Sequence, residues 1–372
     1  MAADWGKIRR EFPALERVTF LNTATFGQLP RRAVEAAARH FAHRDETACA
    51  DFLDWFNDID KLRASLARLT GAAADDIAFL PNAASGLALL IAGIDWQPGD
   101  RILTLEDEFP NNIYAPALLA RRGVEFVAAP WERFYEELTP RTRLVALSEV
   151  SYSNGRRPPL QEISRRAHAA GALLYVDGTQ SLGALRFDVN AIEPDMLSAH
   201  GYKWLLSPNG AAFVYVRPSL RARLDPLVVG WRSHRDWRRV DNLHDGAPEF
   251  SDSAEKYEGG MLPFAVLYAM QASVDMILGI GPAEIENRVM ELAEYARTAL
   301  RRLGARMPAD EQPHFNSPII SAEFEGVDAS ALARDLKRRG VHVSARQGRL
   351  RISTHFYNNE EDVDRLCAAL RS

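Results

Sequence analysis

Short apolar runs alternate with longer helical patterns over the first 216 residues, and this alternation constrains the fold more than any other feature of the chain. Runs rich in β-branched and apolar residues fall at 18–21, 76–80, 101–105, 124–128, 144–148, 173–177, 196–198 and 212–216. Helical patterns lie between them at 31–42, 51–70, 85–94, 112–122 and 160–170. Repeated strand–helix–strand units predict an α/β chain with a mainly parallel sheet flanked by helices on both faces. Ligands of such sheets bind outside the carboxyl ends of the strands.

The texture changes after about residue 217. Residues 221–250 are rich in Arg, Trp, His and Asp with little periodicity, which predicts a long irregular segment. Helical patterns follow at 264–278 and 282–303. The last part reads strand 319–324, helix 329–339, strands 341–344 and 349–353, and helix 360–370, a compact α+β unit. A chain of 372 residues fits two domains. We divide it into an N-terminal segment (1–17), a large domain (18–255), and a long helix with a small C-terminal α+β domain (256–372).

Bulk properties exclude several function classes. The net charge is -5 and the arginines are scattered among acids, so neither nucleic acid nor an anionic membrane is an expected partner. No apolar run approaches the roughly 18 residues of a membrane span. The amino terminus lacks the layout of a signal peptide. Cys49 and Cys367 are the two cysteines, which fits a reducing cytoplasm and gives no metal-site signal.

Lysine is scarce: Lys7, Lys61, Lys203, Lys256 and Lys337 are the five in the chain, and arginine carries the rest of the 45 positive charges. Lys203 sits in Tyr202-Lys203-Trp204-Leu205, among aromatic and apolar neighbours. Arginine cannot replace it there if the role needs an amine that deprotonates. Asp177 ends the apolar run before it, in Val176-Asp177-Gly178-Thr179-Gln180. A strand-end carboxylate followed by a lysine on a turn suits pyridoxal 5'-phosphate (PLP). The lysine forms a Schiff base with the cofactor, and the aspartate keeps its ring nitrogen protonated. Alone, Asp177 has a strand-end helix cap as its lesser alternative.

Other strand ends add to this picture. Residues 79–87 pass from a strand through small residues into an apolar helix, so the amides of Ala83, Ala84 and Ser85 can meet a phosphate. A plain Ser or Asn cap is the alternative. Phe109 follows the 101–105 strand and could stack on a flat ring. His200 and Tyr202 could donate to a phosphate. Alternation puts Arg349 and Arg351 on one strand face, where an arginine can clamp a carboxylate or simply meet solvent.

With these residues in view, the chain resembles the class V aminotransferase family of PLP enzymes, fold type I, which includes cysteine desulfurases, kynureninases and isopenicillin-N-epimerase-like proteins. The resemblance runs from Phe20-Leu21-Asn22-Thr23-Ala24 to Arg351-Ile352-Ser353 and Phe356-Tyr357-Asn358. It implies that Lys203 is the Schiff-base lysine, Asp177 the pyridinium partner and Phe109 the stacking residue. It implies Gln180 near the ring hydroxyl, and His200 and Tyr202 on the phosphate. It implies Arg351, with Asn22 and Trp231, on the substrate. The segment ending at Gly259-Gly260 is similar to one that reaches the phosphate of a partner subunit, implying a homodimer with shared sites.

Some positions depart from the family pattern. No cysteine lies in 341–348, where one group of desulfurases carries its persulfide thiol. Ala83-Ala84 and Gly259-Gly260 stand where relatives often have threonines. Tyr152 replaces an asparagine near the ring hydroxyl, which leaves Asn154 as a possible substitute. Arg232, His234, Arg235, Arg346 and His355 are candidate substrate contacts, and an arginine-rich pocket would favour an acidic substrate unless these are surface pairs. The implied activity is chemistry at Cα of an amino acid through an external aldimine, most simply of the class V aminotransferase type. C–S lysis and epimerisation are the alternatives, and a non-catalytic PLP-fold protein is a third. A Gly-x-Gly-x-x-Gly turn for a nicotinamide cofactor is absent.

Overall fold

The computed structural model describes residues 3–241, 243, 247 and 249–371. Among these residues twelve strands run β1 (Thr19–Phe20), β2 (Ile77–Leu80), β3 (Arg101–Leu105), β4 (Glu125–Ala129), β5 (Thr142–Ser148), β6 (Leu173–Asp177), β7 (Met196–His200), β8 (Ala212–Val216), β9 (Ile319–Ala322), β10 (Val341–His342), β11 (Ser344–Arg346) and β12 (Arg349–Ser353). Seven form the central sheet, in the order β2-β8-β7-β6-β5-β3-β4. All neighbours are parallel except β8, which is antiparallel to both β7 and β2. The link from β7 to β8 is residues 201–211, too short for the crossover that a parallel pair needs. Lys203 lies on this link.

The central strands read as unbroken apolar runs because both faces are covered. Val145, Leu147, Leu174, Val176 and Leu197 enter one core, whereas their neighbours Leu144, Ala146, Tyr175 and Met196 enter the other. Successive side chains point to opposite faces, so each strand feeds both cores. Helices Arg31–Thr47 and Phe52–Thr70 support the first, joined by helix Phe264–Ile280 through Phe56 and Phe264 at 4.9 Å. Helix Ala83–Ala92 covers the second with Leu87, Leu89 and Leu90.

The C-terminal unit is a three-stranded antiparallel sheet, β11-β12-β9, with a core of its own. Leu350 and Ile352 pack there with Ala296 and Leu300 of helix Pro282–Arg301 and Leu366 of helix Glu360–Arg371. The strand expected over 341–344 is two strands with different partners. β10 pairs in parallel with β1, and β11 pairs with β12. Asn22 then bridges to Ser353, so the chain after β1 runs along this unit on its way to the large sheet.

The irregular segment after β8 is pinned by a buried cation. Arg232, fully buried, meets Glu255 at 2.8 Å and Glu258 at 2.7 Å and lies between the rings of Phe56 and Trp237. Arg63 reaches the same Glu258 at 2.7 Å. Among the described residues, no single helix is long and apolar enough to cross a membrane.

Candidate active site

The parallel strands β3, β5, β6 and β7 all point their carboxyl ends to one edge of the sheet, and the chemistry-bearing residues gather there. Ser148, Asp177 and Ser198 sit side by side in register on β5, β6 and β7. Ala83, Phe109, Asp177, Gln180, His200, Tyr202 and Lys203 line one cleft, together with Asn111, Ser148, Tyr152 and Thr179. Seven residues singled out from sequence thus meet in one place.

Lys203 is buried, and its Nζ lies 5.5 Å from the Phe109 ring centre and 5.4 Å from that of Tyr202. Burial pushes its pKa down to about 8; Asp177 opposes the shift, and Arg351 and Arg346 add to it. A sizeable neutral fraction near neutral pH is what an attacking amine requires. The turn carrying it is tightly held. Gly27 donates its amide to the Tyr202 carbonyl at 2.9 Å, and a Cβ on Gly27 would lie 1.9 Å from the Lys203 oxygen. The Trp204 indole donates to Gln180 Oε1 at 2.9 Å.

Asp177 accepts the Thr179 amide at 2.9 Å on Oδ1. Burial raises its pKa, against the pull of the Thr179 bonds and of Lys203. Such a carboxylate gains when a cation sits against its remaining oxygen. On the same sheet face Tyr175 Oη donates to the Ala83 carbonyl at 3.3 Å, fixing the start of helix Ala83–Ala92 beside β6.

That helix start holds two free donors rather than the three expected. Asn82 Oδ1 accepts from Ser85 N at 3.0 Å and from Ser85 Oγ at 3.1 Å, so the Ser85 amide belongs to the cap. The amides of Ala83 and Ala84 have no acceptor among the described residues. His200 stands nearby, edge-on to Tyr202 at 4.3 Å. Its Nδ1 is buried without a partner. Burial, and secondarily Lys203, push its pKa down to about 4 against a backbone bond to Ala211, so the ring is neutral.

Arg351 is 1% exposed. Its Nε donates to Ser344 Oγ at 3.1 Å, Nη1 to the Tyr152 carbonyl at 2.6 Å and Nη2 to Thr25 Oγ1 at 2.5 Å. Thr25 in turn donates to Asn22 Oδ1 at 2.8 Å, which places Asn22 one bond behind the arginine. No carboxylate meets Arg351 among the described residues, and burial with Arg346 nearby pushes its pKa down to about 9.

Other expected residues lie elsewhere. Asn154 bonds Asp107 and accepts the Arg156 amide at 2.9 Å, outside the cleft; Tyr152 takes that place, edge-on to Phe109 at 5.1 Å. Trp231 packs on Phe56 and Trp237 instead of lining the cleft. Gly260 accepts from Arg232 at 3.3 Å, away from the cleft. Gln180 lines the cleft, but both ends of its amide are used, donating to Ala24 O at 3.0 Å and accepting from Trp204. Arg232 is a buried ion-pair member, Arg235 an exposed partner of Glu249, and the His234 Nδ1 accepts the Asp236 amide. His355 is buried against the Trp204 carbonyl, with its pKa pushed down to about 3. Cys367 lies in the C-terminal core and Cys49 beyond helix Arg31–Thr47.

Three contributors carried little sequence signal. Gly27 and Thr25 act through contacts with residues far along the chain. Glu108, quoted only as the neighbour of Phe109, is buried and accepts from Ser148 Oγ at 2.6 Å and Asn112 Nδ2 at 2.9 Å. Its burial pushes its pKa up to about 7.

A family model described as aminotransferase class-V matches residues 20–366. The chain belongs to the class V aminotransferase family. Class V relatives of similar length include the isopenicillin N epimerase of Streptomyces clavuligerus, 29% identical over 99% of this chain and 98% of the relative. A probable cysteine desulfurase of Methanothermobacter thermautotrophicus is 25% identical over 96% and 95%. Among solved class V folds, a C-DES variant with glycine covalently linked to its PLP cofactor superposes with a TM-score of 0.89 at 23% identity, covering 97% of this chain and 98% of that one. The cysteine desulfurase of Thermococcus onnurineus gives 0.87 at 20% identity, covering 99% and 98%. The family is PLP-dependent.

Proposed function

We propose that this class V chain is a PLP-dependent enzyme that acts at Cα of an amino acid, in the manner of the aminotransferases of its family. The residues present fit the cofactor. The free Ala83 and Ala84 amides and the unpartnered His200 Nδ1 suit a phosphate. The buried Asp177 suits a protonated ring nitrogen, and Phe109 offers an aromatic face. When bound, PLP supplies an electron sink for charge developing at Cα.

The carrying observation is Arg351. A fully buried guanidinium with three neutral acceptors and no counter-ion among the described residues is costly unless a ligand supplies the anion. An α-carboxylate does so, bidentately. Arg351 then holds the substrate, Lys203 moves the proton at Cα, and Asp177 keeps the ring nitrogen charged. Neither cysteine lies at the cleft, which favours transamination or direct C–S lysis over sulfur relay through a protein thiol.

We further propose a homodimer that shares its sites, in which the 256–260 segment reaches the partner's phosphate. Phe26, Val34, Phe41, Val228, Val229 and Met261 are large exposed apolar residues, and Phe26 touches Tyr202 at the cleft. The division into 1–17, 18–255 and 256–372 remains our reading of the domains, and the free cysteines support a cytoplasmic location.

The test is the absorption spectrum of the purified protein between roughly 300 and 500 nm, before and after borohydride. A yellow band that borohydride removes, with the label on Lys203, supports the reading. A featureless spectrum that added PLP leaves unchanged overturns it and favours a non-catalytic protein.

A further inference from the structure

The hairpin beside the cleft carries more positive charge than one α-carboxylate uses. In the β11–β12 register, Ser344 stands opposite Arg351 and Arg346 opposite Arg349. Directly opposite residues share a sheet face, so Ser344, Arg346, Arg349 and Arg351 lie together, while Leu350 and Ile352 face the core. Arg349 is neutralised by Glu323 at 3.2 Å. Arg351 is bound only by neutral groups. Arg346 is half-buried, donates to the carbonyl of Ala345 at 2.7 Å, and meets no carboxylate among the described residues.

Arg346 and Arg351 are diagonal neighbours on that face, and like charges this near are unfavourable. The cost is greater here because Arg351 is out of water. Both arginines also disfavour the proton on Lys203, so their fields converge on the catalytic amine. Phosphate does not explain Arg346, since the free amides of Ala83 and Ala84 lie at another strand end. A surface role does not explain it either, because its cross-strand neighbour Arg349 has found a surface acid and Arg346 has not.

We propose that Arg346 is a specificity-determining residue that binds a second anionic group, carried on the side chain of the substrate. Resting on the function proposed above, this assigns amino acids with an acidic side chain as the substrate class. Arg351 takes the α-carboxylate, and Arg346 takes the distal carboxylate or an oxyanion of similar shape. A neutral side chain leaves Arg346 uncompensated.

The experiment is calorimetric titration of the PLP-loaded protein, at fixed ionic strength, with succinate and glutarate against propionate and butyrate. It is repeated on Arg346→Gln, Arg346→Lys and Arg351→Gln. The expected result is about tenfold tighter binding of the dicarboxylates by the parent protein, the scale of one charge-assisted contact. Arg346→Gln removes that preference while keeping propionate affinity within about twofold, Arg346→Lys restores part of it, and Arg351→Gln weakens all four acids. Equal affinity for mono- and dicarboxylates, or a preference that survives Arg346→Gln, overturns the proposal. The two readings fail separately. A normal borohydride-sensitive spectrum without dicarboxylate preference sinks only the role of Arg346, whereas absence of the band sinks the proposed function and this inference with it.

Discussion

Arg351 donates to the Tyr152 carbonyl across 2.6 Å, joining the C-terminal sheet to the turn after β5. The contact holds the guanidinium against Tyr152, which lines the cleft, without neutralising it. Charge-assisted bonds of this kind are worth about 1.5–3 kcal/mol each. Replacing Arg351 by Ala should therefore lower kcat/KM for α-amino acids by roughly 100-fold. The corresponding amines, which lack the carboxylate, should lose much less. A matched loss on both substrate types would remove Arg351 from carboxylate binding.

Lys203 gives a pH signature in the cofactor-free protein. Its pKa falls from 10.5 to about 8 on folding, so the unfolded chain binds more protons between those values. Stability from this group rises as pH climbs from about 8 towards 10.5, and its burial penalty is complete below 8. Lys203→Met should stabilise the apoprotein at pH 7 by up to about 3 kcal/mol, with the gain shrinking by pH 10. Urea unfolding at both pH values measures this; a gain independent of pH would contradict it.

Glu108 has the opposite sign. Its pKa rises from 4.5 to about 7 on folding, so the native state holds the extra proton between those values. The wild-type protein should lose stability as pH rises through that window, with the penalty complete above about 7. Glu108→Gln should flatten the slope while altering the seat of Phe109, seen as a shifted cofactor band. A slope that persists in the variant would place its source elsewhere.

Arg232 should matter for folding rather than for substrate. Removing it leaves Glu258, whose side chain is 0% exposed, with Arg63 alone. Breaking a buried pair in this way costs about 3–5 kcal/mol. Arg232→Ala should show a large fall in Tm, with KM for the amino acid unchanged in the folded fraction. A rise in KM with intact Tm would restore Arg232 as a substrate contact.

The large sheet was legible because each central strand is apolar on both faces, so β5, β6 and β8 stand out without periodicity. The cleft was legible where its lining residues follow strand ends, as with Asp177, Phe109 and Lys203. Legibility stopped where a residue's role depends on a distant partner. Arg232 reads like Arg346 in sequence; only the arrival of Glu255 and Glu258 beside it makes it structural. Asn154 and Tyr152 differ by two positions in one turn, and which of them faces inward is set by Asp107, far upstream. Ser85 looked available until Asn82 claimed its amide.

Gly27 lies on the Lys203 carbonyl, and the stretch that carries it has already delivered Thr25 to Arg351, Asn22 to Ser353 and β1 to β10. The roof over the amine and the strap around the small unit are one piece of chain. The small sheet and the lysine turn are thereby tied to one strap, and a deletion that looks like a harmless trimming of the first thirty residues would dismantle a wall of the cleft.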